Sequence, residues 1–152
     1  MVGMNLVFLI EGENILLALK KRGFGEGLWN GVGGKSKSQE SVIEAAKREC
    51  LEEIFVTPIE LSSVARFKFT SPDNDDLLVD VFFCQKWDGE PKESEEMRPQ
   101  WFNVEDIPFD QMWPDDSHWL PRVLAGEKLE GTFNFDSNNN LLDFDLKSVE
   151  TL

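Results

Sequence analysis

The stretch GGKSKSQESVIEAAKRECLEEIFV, Gly33 to Val56, carries two signals that point in opposite directions. Gly34-Lys35-Ser36 has the ending of a phosphate-cradling P-loop, yet the residues after it are crowded with glutamates, which repel phosphate. The P-loop reading fails on spacing. G-x-x-x-x-G-K-[ST] needs its first glycine at position 29, which is Trp29. It also needs a helix that starts at once, so that backbone amides face the phosphates. Here Ser41 and Glu44 form an S-x-x-E capping box, which starts the helix near Val42.

The periodicity predicts a helix over Val42–Ile54. At roughly 100° per residue, with Glu49 at zero, Glu53 lies about 40° to one side and Glu52 about 60° to the other. Three carboxylates therefore share a face, with Val42, Ala45 and Ala46 above them, the alanines small enough to let a loop approach. Ile43, Cys50 and Ile54 form an apolar stripe about 100–140° away, expected to face the core. A solvated acidic face is the plain alternative. Against it, no lysine alternates with these glutamates at i+4; Lys47 lies on the opposite side and only Arg48 is near. Partly desolvated, such carboxylates repel by about 4 kcal/mol per pair at 4 Å and an effective dielectric of about 20. A divalent cation removes that cost, and oxygen-only ligands suit Mg²⁺ or Mn²⁺.

Outward from the helix, Asn5–Ile10 and Ile15–Lys20 read as strands joined through EGEN, a hairpin. KKRGFGEGLWNGVGGKSKS reads as a loop rich in glycine and base. Ser63–Phe69 and Leu77–Gln85 read as strands around the turn SPDND, DGEPKESEE as a polar loop, and MRPQWFNV as a further strand. A second helix is expected from Ser117 to Ala125, with Pro121 near its start. GTFNFD and LLDFDL alternate as strands joined through SNNN. No repeat or linker interrupts the pattern, so residues 1–152 are expected to form a single domain of class α+β, with a mixed sheet.

The 152 residues suffice for one domain with its own core, and 29% charged content is ordinary for a soluble chain. The net charge of −14 argues against DNA, RNA or an anionic membrane as partner, since each needs a basic patch. Two cysteines and one histidine are too few for a Cys/His zinc site. Both cysteines sit in apolar runs and read as buried free thiols, which fits a cytoplasmic protein. MVGMNLVFLI lacks a basic start and breaks at Glu11, so it reads as a strand rather than a signal peptide.

Gly34, five residues, Glu40, seven residues, Arg48-Glu49, two residues, Glu52-Glu53: this spacing resembles the Nudix box, the signature of Nudix hydrolases. With each residue at roughly 7% frequency, six matched positions arise by chance about once in ten million starts. Cys50 stands where an aliphatic residue is usual, a mild change. Phe55 stands where the pattern has glycine, which would close the helix in the left-handed conformation. Phenylalanine is penalised there, so the helix is expected to close differently or run on a residue.

The resemblance extends to KKRGFGEGLWNGVGGK before the box and to ESEEMRPQWF…IPFDQMWPDDSHWLP after it. These look like the animal-type oxidised-purine nucleoside triphosphate hydrolases, the 8-oxo-dGTP diphosphatases of MutT type. The resemblance implies an α/β/α sandwich that hydrolyses a nucleoside triphosphate to monophosphate and pyrophosphate with Mg²⁺ (or Mn²⁺). It carries metal positions onto Glu49, Glu52, Glu53 and the Gly33 carbonyl, with Glu96 completing the site or activating water, and Arg48 joins these acids as a catalytic-site residue. Lys20 falls on a lysine that reaches phosphates, beside the cleft residues Gly34 and Lys35; the alternative is a solvated strand end. MWPDDSHW would recognise the base. Trp113 offers a face for stacking, Asp115 and Asp116 offer edge contacts, and Asn30 can donate and accept. Phe24, Met97 and Trp119 would line the pocket. On residue type alone, Asp115-Asp116 could simply cap a helix and Trp113 could be core. Two neighbouring buried acids also repel, which would keep one neutral near pH 7. Another modified or normal nucleotide as substrate, or a non-catalytic nucleotide-binding module, are the competing readings. A monomer is expected.

Overall fold

The computed structural model describes residues 1–152. The strands are β1 (Val2–Glu11), β2 (Asn14–Lys20), β3 (Trp29–Asn30), β4 (Thr57–Ser71), β5 (Asn74–Asp88), β6 (Met97–Asn103), β7 (Lys128–Phe135) and β8 (Leu141–Val149). The helices are α1 (Val42–Ile54) and α2 (Asp116–Leu124). The strands run in the order β3-β2-β1-β5-β4-β7-β8, with β6 on the far side of β2. β1 joins β5 in parallel and β4 joins β7 in parallel, while the remaining pairs are antiparallel, so the sheet is mixed.

Alternation along β1 explains the layers. Val7 and Leu9 point to one face and join Ala46, Cys50 and Ile54 of α1 in one buried cluster. Phe8 points to the other and joins Trp119, Leu120 and Val123 of α2. Both faces of this strand are covered, so its apolar run is nearly continuous. Burying each large side chain contributes about 1.5–3 kcal/mol relative to exposure. The result is the expected arrangement of helices on both sides of a mixed sheet.

Several expectations shift. The strands expected at Ser63–Phe69 and Leu77–Gln85 are a longer hairpin, Thr57–Ser71 with Asn74–Asp88, whose register slips at four places through bulges. The second helix begins at Asp116, one residue earlier than expected, and ends at Leu124. The glycine-rich loop contains a two-residue strand, and Val32 and Lys35 form isolated bridges to Val7 and Met4. Ile43 does not face the core: it is exposed in the first turn of α1, where no strand covers it, and the apolar stripe is Ala46, Cys50 and Ile54.

The end of α1 also differs from expectation. Phe55 adopts φ 63° and ψ 30°, the left-handed shape, and its N–H donates to the carbonyls of Cys50 and Leu51. The helix therefore closes after Ile54 as a glycine would close it, and phenylalanine carries the strain. Cys50 and Cys84 are buried free thiols. No helix is long and apolar enough to cross a membrane.

Candidate active site

The capping box fixes the start of α1. Ser41 Oγ accepts from the Glu44 N–H at 3.1 Å and Glu44 Oε1 accepts from the Ser41 N–H at 3.1 Å. Satisfying these end donors sets the rotation at which the helix presents its glutamates. Arg48 then organises them. Its Nε and Nη2 donate to the two carboxylate oxygens of Glu40 at 2.7 and 3.0 Å, a bidentate fork. Nη1 donates to Glu49 Oε1 at 3.0 Å and Glu52 Oε2 at 3.3 Å, and Nη2 also donates to the Lys35 carbonyl at 3.2 Å. The guanidinium holds the Glu40 carboxyl down at about 2.

Glu53 behaves differently. It is buried, and its Oε1 has no hydrogen-bond partner. Burial, followed by contact with the Glu49 carboxyl, pushes its pKa up to about 8, while Lys20 and the Gly33 backbone pull it down. The mutual repulsion of these glutamates is thus relieved in two ways in the protein alone: Arg48 neutralises Glu49 and Glu52, and a proton can sit on Glu53.

The carboxylates do not enclose an ion as they stand, because no three meet closely enough. Arg48 draws Glu49 and Glu52 toward itself. Glu96, expected to complete the metal site, instead accepts from Arg22 Nε at 2.8 Å and stands 3.6 Å from Lys20 Nζ. Lys21 Nζ donates to the Ser94 carbonyl at 2.8 Å and to Glu93. The basic run Lys20-Lys21-Arg22 is therefore satisfied by the acidic loop at Glu93–Glu96.

The residues nonetheless suit a hard divalent cation. Glu53 Oε1 is a buried oxygen without a donor. The donor set is oxygen throughout. The backbone at Gly34 also passes so close that a β-carbon there would lie 2.7 Å from Glu49 Oε1.

The Gly33–Gly34 backbone, which Glu49 abuts, lines a cleft of about 700 Å³. Other residues expected from the sequence that line it are Lys20, Phe24, Asn30, Lys35, Met97, Trp113, Asp115, Asp116 and Trp119. In the same cleft Phe24 and Trp113 pair with ring centroids 5.1 Å apart. Gly25, at φ +84°, takes a left-handed backbone shape that suits glycine and carries the loop past the Trp113 indole. Trp113 is partly exposed, so it is not a core residue.

Asp115 and Asp116 do not cap α2 with their side chains; Asp115 stands at the cap position without a side-chain bond. Asp115 Oδ2 instead accepts from Trp119 Nε1 at 2.9 Å, and Trp119 packs on Phe8 and Phe67 in the core. Both acids are buried, and Asp116 Oδ2 has no partner. Burial raises both; Asp116 goes well above the ordinary range because the Asp115 charge adds to its burial. Asn30 Oδ1 accepts from the Gly31 N–H at 2.8 Å, leaving the side-chain amide free to donate.

Asn5, which sequence reading names only as a residue able to alter substrate preference and gives no binding or metal role, also lines the cleft. The available signal was its place on β1: a polar side chain on the same face as Val7 and Leu9, where alternation calls for an apolar one.

Comparison with known proteins places this architecture. Over 150 residues the chain is 41% identical to the oxidized purine nucleoside triphosphate hydrolase of Danio rerio, covering 98% of this chain and 96% of that protein. It is 42% identical over 147 residues to the Mus musculus protein of the same name, covering 96% and 94%. In fold it is similar to the crystal structure of a MutT protein from Bacillus halodurans, with a TM-score of 0.83, 23% identity, and 97% and 98% of the two chains covered. Residues 2–123 match the NUDIX domain model, a span that contains α1 with its glutamates and the cleft from Lys20 to Trp119, and so the chain belongs to the Nudix family.

Proposed function

We propose that this protein is a metal-dependent pyrophosphohydrolase. It converts oxidised purine nucleoside triphosphates, 8-oxo-dGTP and 2-oxo-dATP among them, to monophosphate and pyrophosphate, and so cleans the nucleotide pool. The observation that carries the reading is one cleft that holds an aromatic pair beside two buried acids and is bounded by the Gly33–Gly34 backbone, against which the acidic helix face packs through Glu49. The names of the Danio rerio and Mus musculus relatives support it.

Glu49, Glu52, Glu53, Glu96 and the Gly33 carbonyl would hold Mg²⁺, or Mn²⁺. When bound, the ion neutralises triphosphate charge and polarises the phosphorus that water attacks. Arg48 keeps Glu49 and Glu52 oriented. Lys20, released from Glu96, reaches the phosphates together with the backbone at Gly34 and Lys35. Glu53 has the raised basicity of a group that can take a proton near neutral pH.

The base stacks at Phe24 and Trp113, with Met97 and Trp119 closing the pocket. Asp116, kept neutral by burial and by Asp115, can donate as well as accept. Asp115, held by Trp119, accepts. Moving one proton between them lets the pair match two purine edges that carry their oxygen at different positions. The protein works as a single-domain cytoplasmic monomer on small nucleotides, without nucleic acid or membrane, which its charge of −14 disfavours.

A competition assay with equal 8-oxo-dGTP and dGTP in the presence of Mg²⁺ tests the function. Preferential loss of 8-oxo-dGTP with release of pyrophosphate supports it. Equal consumption of both, or of neither, overturns it.

A further inference from the structure

Asn5 is 1% exposed and lies in the middle of β1, on the face that α1 covers. Its main-chain N–H donates to the Gly34 carbonyl at 3.0 Å, and its side-chain Nδ2 donates to the same oxygen at 3.1 Å. Its Oδ1 is buried with no partner. For stability alone this is a poor arrangement. The Gly34 carbonyl already has one donor from the backbone, and a buried acceptor left without one is unfavourable. A leucine of similar shape would fill the same space without the orphan.

The position explains what the amide does. Between Val32 and Ser36 the chain runs beside β1, with the bonds Val7 N to Val32 O at 2.6 Å and Ser36 N to Gly3 O at 3.1 Å. At the extended Gly33–Gly34 backbone between them, the Asn5 amide adds the second bond. The contact is so close that a β-carbon on Gly33 would lie 2.1 Å from Asn5 O and 2.7 Å from its Oδ1. On the other side of the same segment, Gly34 abuts the Glu49 carboxylate, and the Gly33 backbone faces Glu53. One polar side chain on the strand thus fixes the peptide that separates it from the acidic helix face.

We infer that Asn5 is a positioning residue for the metal site: its side-chain amide sets the Gly33–Gly34 backbone where that segment and the carboxylates of Glu49 and Glu53 can hold one cation. The inference rests on the metal reading proposed above. It predicts that function and stability separate at this residue. An apolar replacement keeps or raises the stability of the metal-free fold, yet loosens the Gly33–Gly34 segment and weakens binding of the ion.

The test is a Mn²⁺ titration followed by the electron paramagnetic resonance signal of free Mn²⁺, together with the thermal midpoint of chelated protein. Wild type, Glu53→Gln, Asn5→Leu and Asn5→Val are compared, the last because a β-branched residue suits a strand. Loss of a supporting hydrogen bond behind metal ligands weakens affinity by roughly 10–100-fold. The expected result is that shift in every Asn5 variant whose chelated midpoint is equal to or above wild type. The metal concentration for half-maximal turnover should move in parallel. Wild-type Mn²⁺ affinity in either folded variant overturns the inference and leaves the metal site standing, as does a lowered midpoint in both, which makes Asn5 structural. If wild type binds no Mn²⁺, or Glu53→Gln binds it as well as wild type, the metal reading itself fails, and the inference with it.

Discussion

Gly34 and Glu49 are in contact with no room for a side chain between them: a β-carbon on Gly34 would lie 2.7 Å from Oε1 and 2.8 Å from the carboxyl carbon of Glu49. Glu49 cannot swing away freely, because Arg48 holds the same Oε1 at 3.0 Å. Gly34→Ala should therefore push the backbone and the carboxylate apart by an appreciable fraction of an ångström. Misplacement on the 1 Å scale costs about 10²-fold in rate. The expected outcome is a fall in kcat/KM of that order, with circular dichroism and thermal midpoint close to wild type. Turnover within twofold of wild type would show that the close approach is unimportant.

Glu53 gives the metal-free protein a pH dependence whose sign can be worked out. Its pKa rises from 4.5 to about 8 on folding. Between those values the folded state binds more protons than the unfolded state, so stability falls as pH rises. The contribution is fully present below pH 4.5 and lost by the time pH passes about 8. The buried acids Asp115 and Asp116, also raised, act in the same direction. In chelator, the thermal midpoint should drop from pH 5.5 to 8.5 by more in wild type than in Glu53→Gln, which cannot ionise. A wild-type slope no steeper than that of Glu53→Gln would rule out the raised carboxyl.

Phe55 shows where sequence reasoning stops. The helix, its capping box and its acidic face followed from spacing and the 3.6-residue period, because these are local properties. The end of the helix did not, because propensity at Phe55 is overridden by its surroundings. Its carbonyl lies tight against the β5–β6 loop, where a β-carbon on Gly89 would lie 2.7 Å from it. Lys92 N–H binds the Ile54 carbonyl one residue earlier, at 3.0 Å. Ile43 was misjudged for a related reason. The helical wheel gives its direction, but only the sheet's extent decides whether anything lies there. The pairing of Lys20, Lys21 and Arg22 with Glu93 and Glu96 joins residues more than 70 apart in sequence, and no local pattern announces it.

That strain can be measured. A left-handed conformation costs a non-glycine residue about 1–2 kcal/mol. Glycine removes the cost but loses about 0.5–1 kcal/mol through its freer unfolded chain. Phe55 is 49% exposed, so little burial is at stake. Phe55→Gly should leave stability unchanged or raise it by up to about 1 kcal/mol. Phe55→Val, β-branched, should lower it. Urea denaturation of the two variants decides the matter, and a clear loss of stability in Phe55→Gly would mean that the ring, not the backbone, holds this corner.

Asp115 and Asp116 stand side by side but are held differently, the first by the Trp119 indole and the second with a free Oδ2. If they share a proton that moves with the substrate, the two amide variants must affect the two substrates unequally. Asp116→Asn keeps a donor where the neutral acid donates, and should retain more activity on the nucleotide that uses that arrangement. Asp115→Asn removes the accepting charge and should lose about 10²-fold or more on that nucleotide, since unpaired buried polar groups discriminate strongly. Measuring kcat/KM on 8-oxo-dGTP and 2-oxo-dATP for both variants gives four ratios. Equal losses across all four would remove proton exchange from the account.

Arg48 is the last case, because its role depends on shape rather than charge. One guanidinium makes a two-pronged contact with Glu40 while its third nitrogen serves Glu49 and Glu52 and a further bond reaches the Lys35 carbonyl. A lysine at the same place keeps the charge but brings one nitrogen, which cannot span Glu40 and Glu49 together. Freed of the fork, Glu49 and Glu52 lose their fixed directions even though the local charge is unchanged. Arg48→Lys should therefore behave like Arg48→Ala, with kcat/KM reduced by roughly 10–100-fold and the metal requirement shifted upward. Were charge alone the requirement, Arg48→Lys would stay near wild type while Arg48→Ala fell. Steady-state kinetics across a range of Mg²⁺ concentrations distinguishes the two, and near-wild-type behaviour in Arg48→Lys would refute the positioning role.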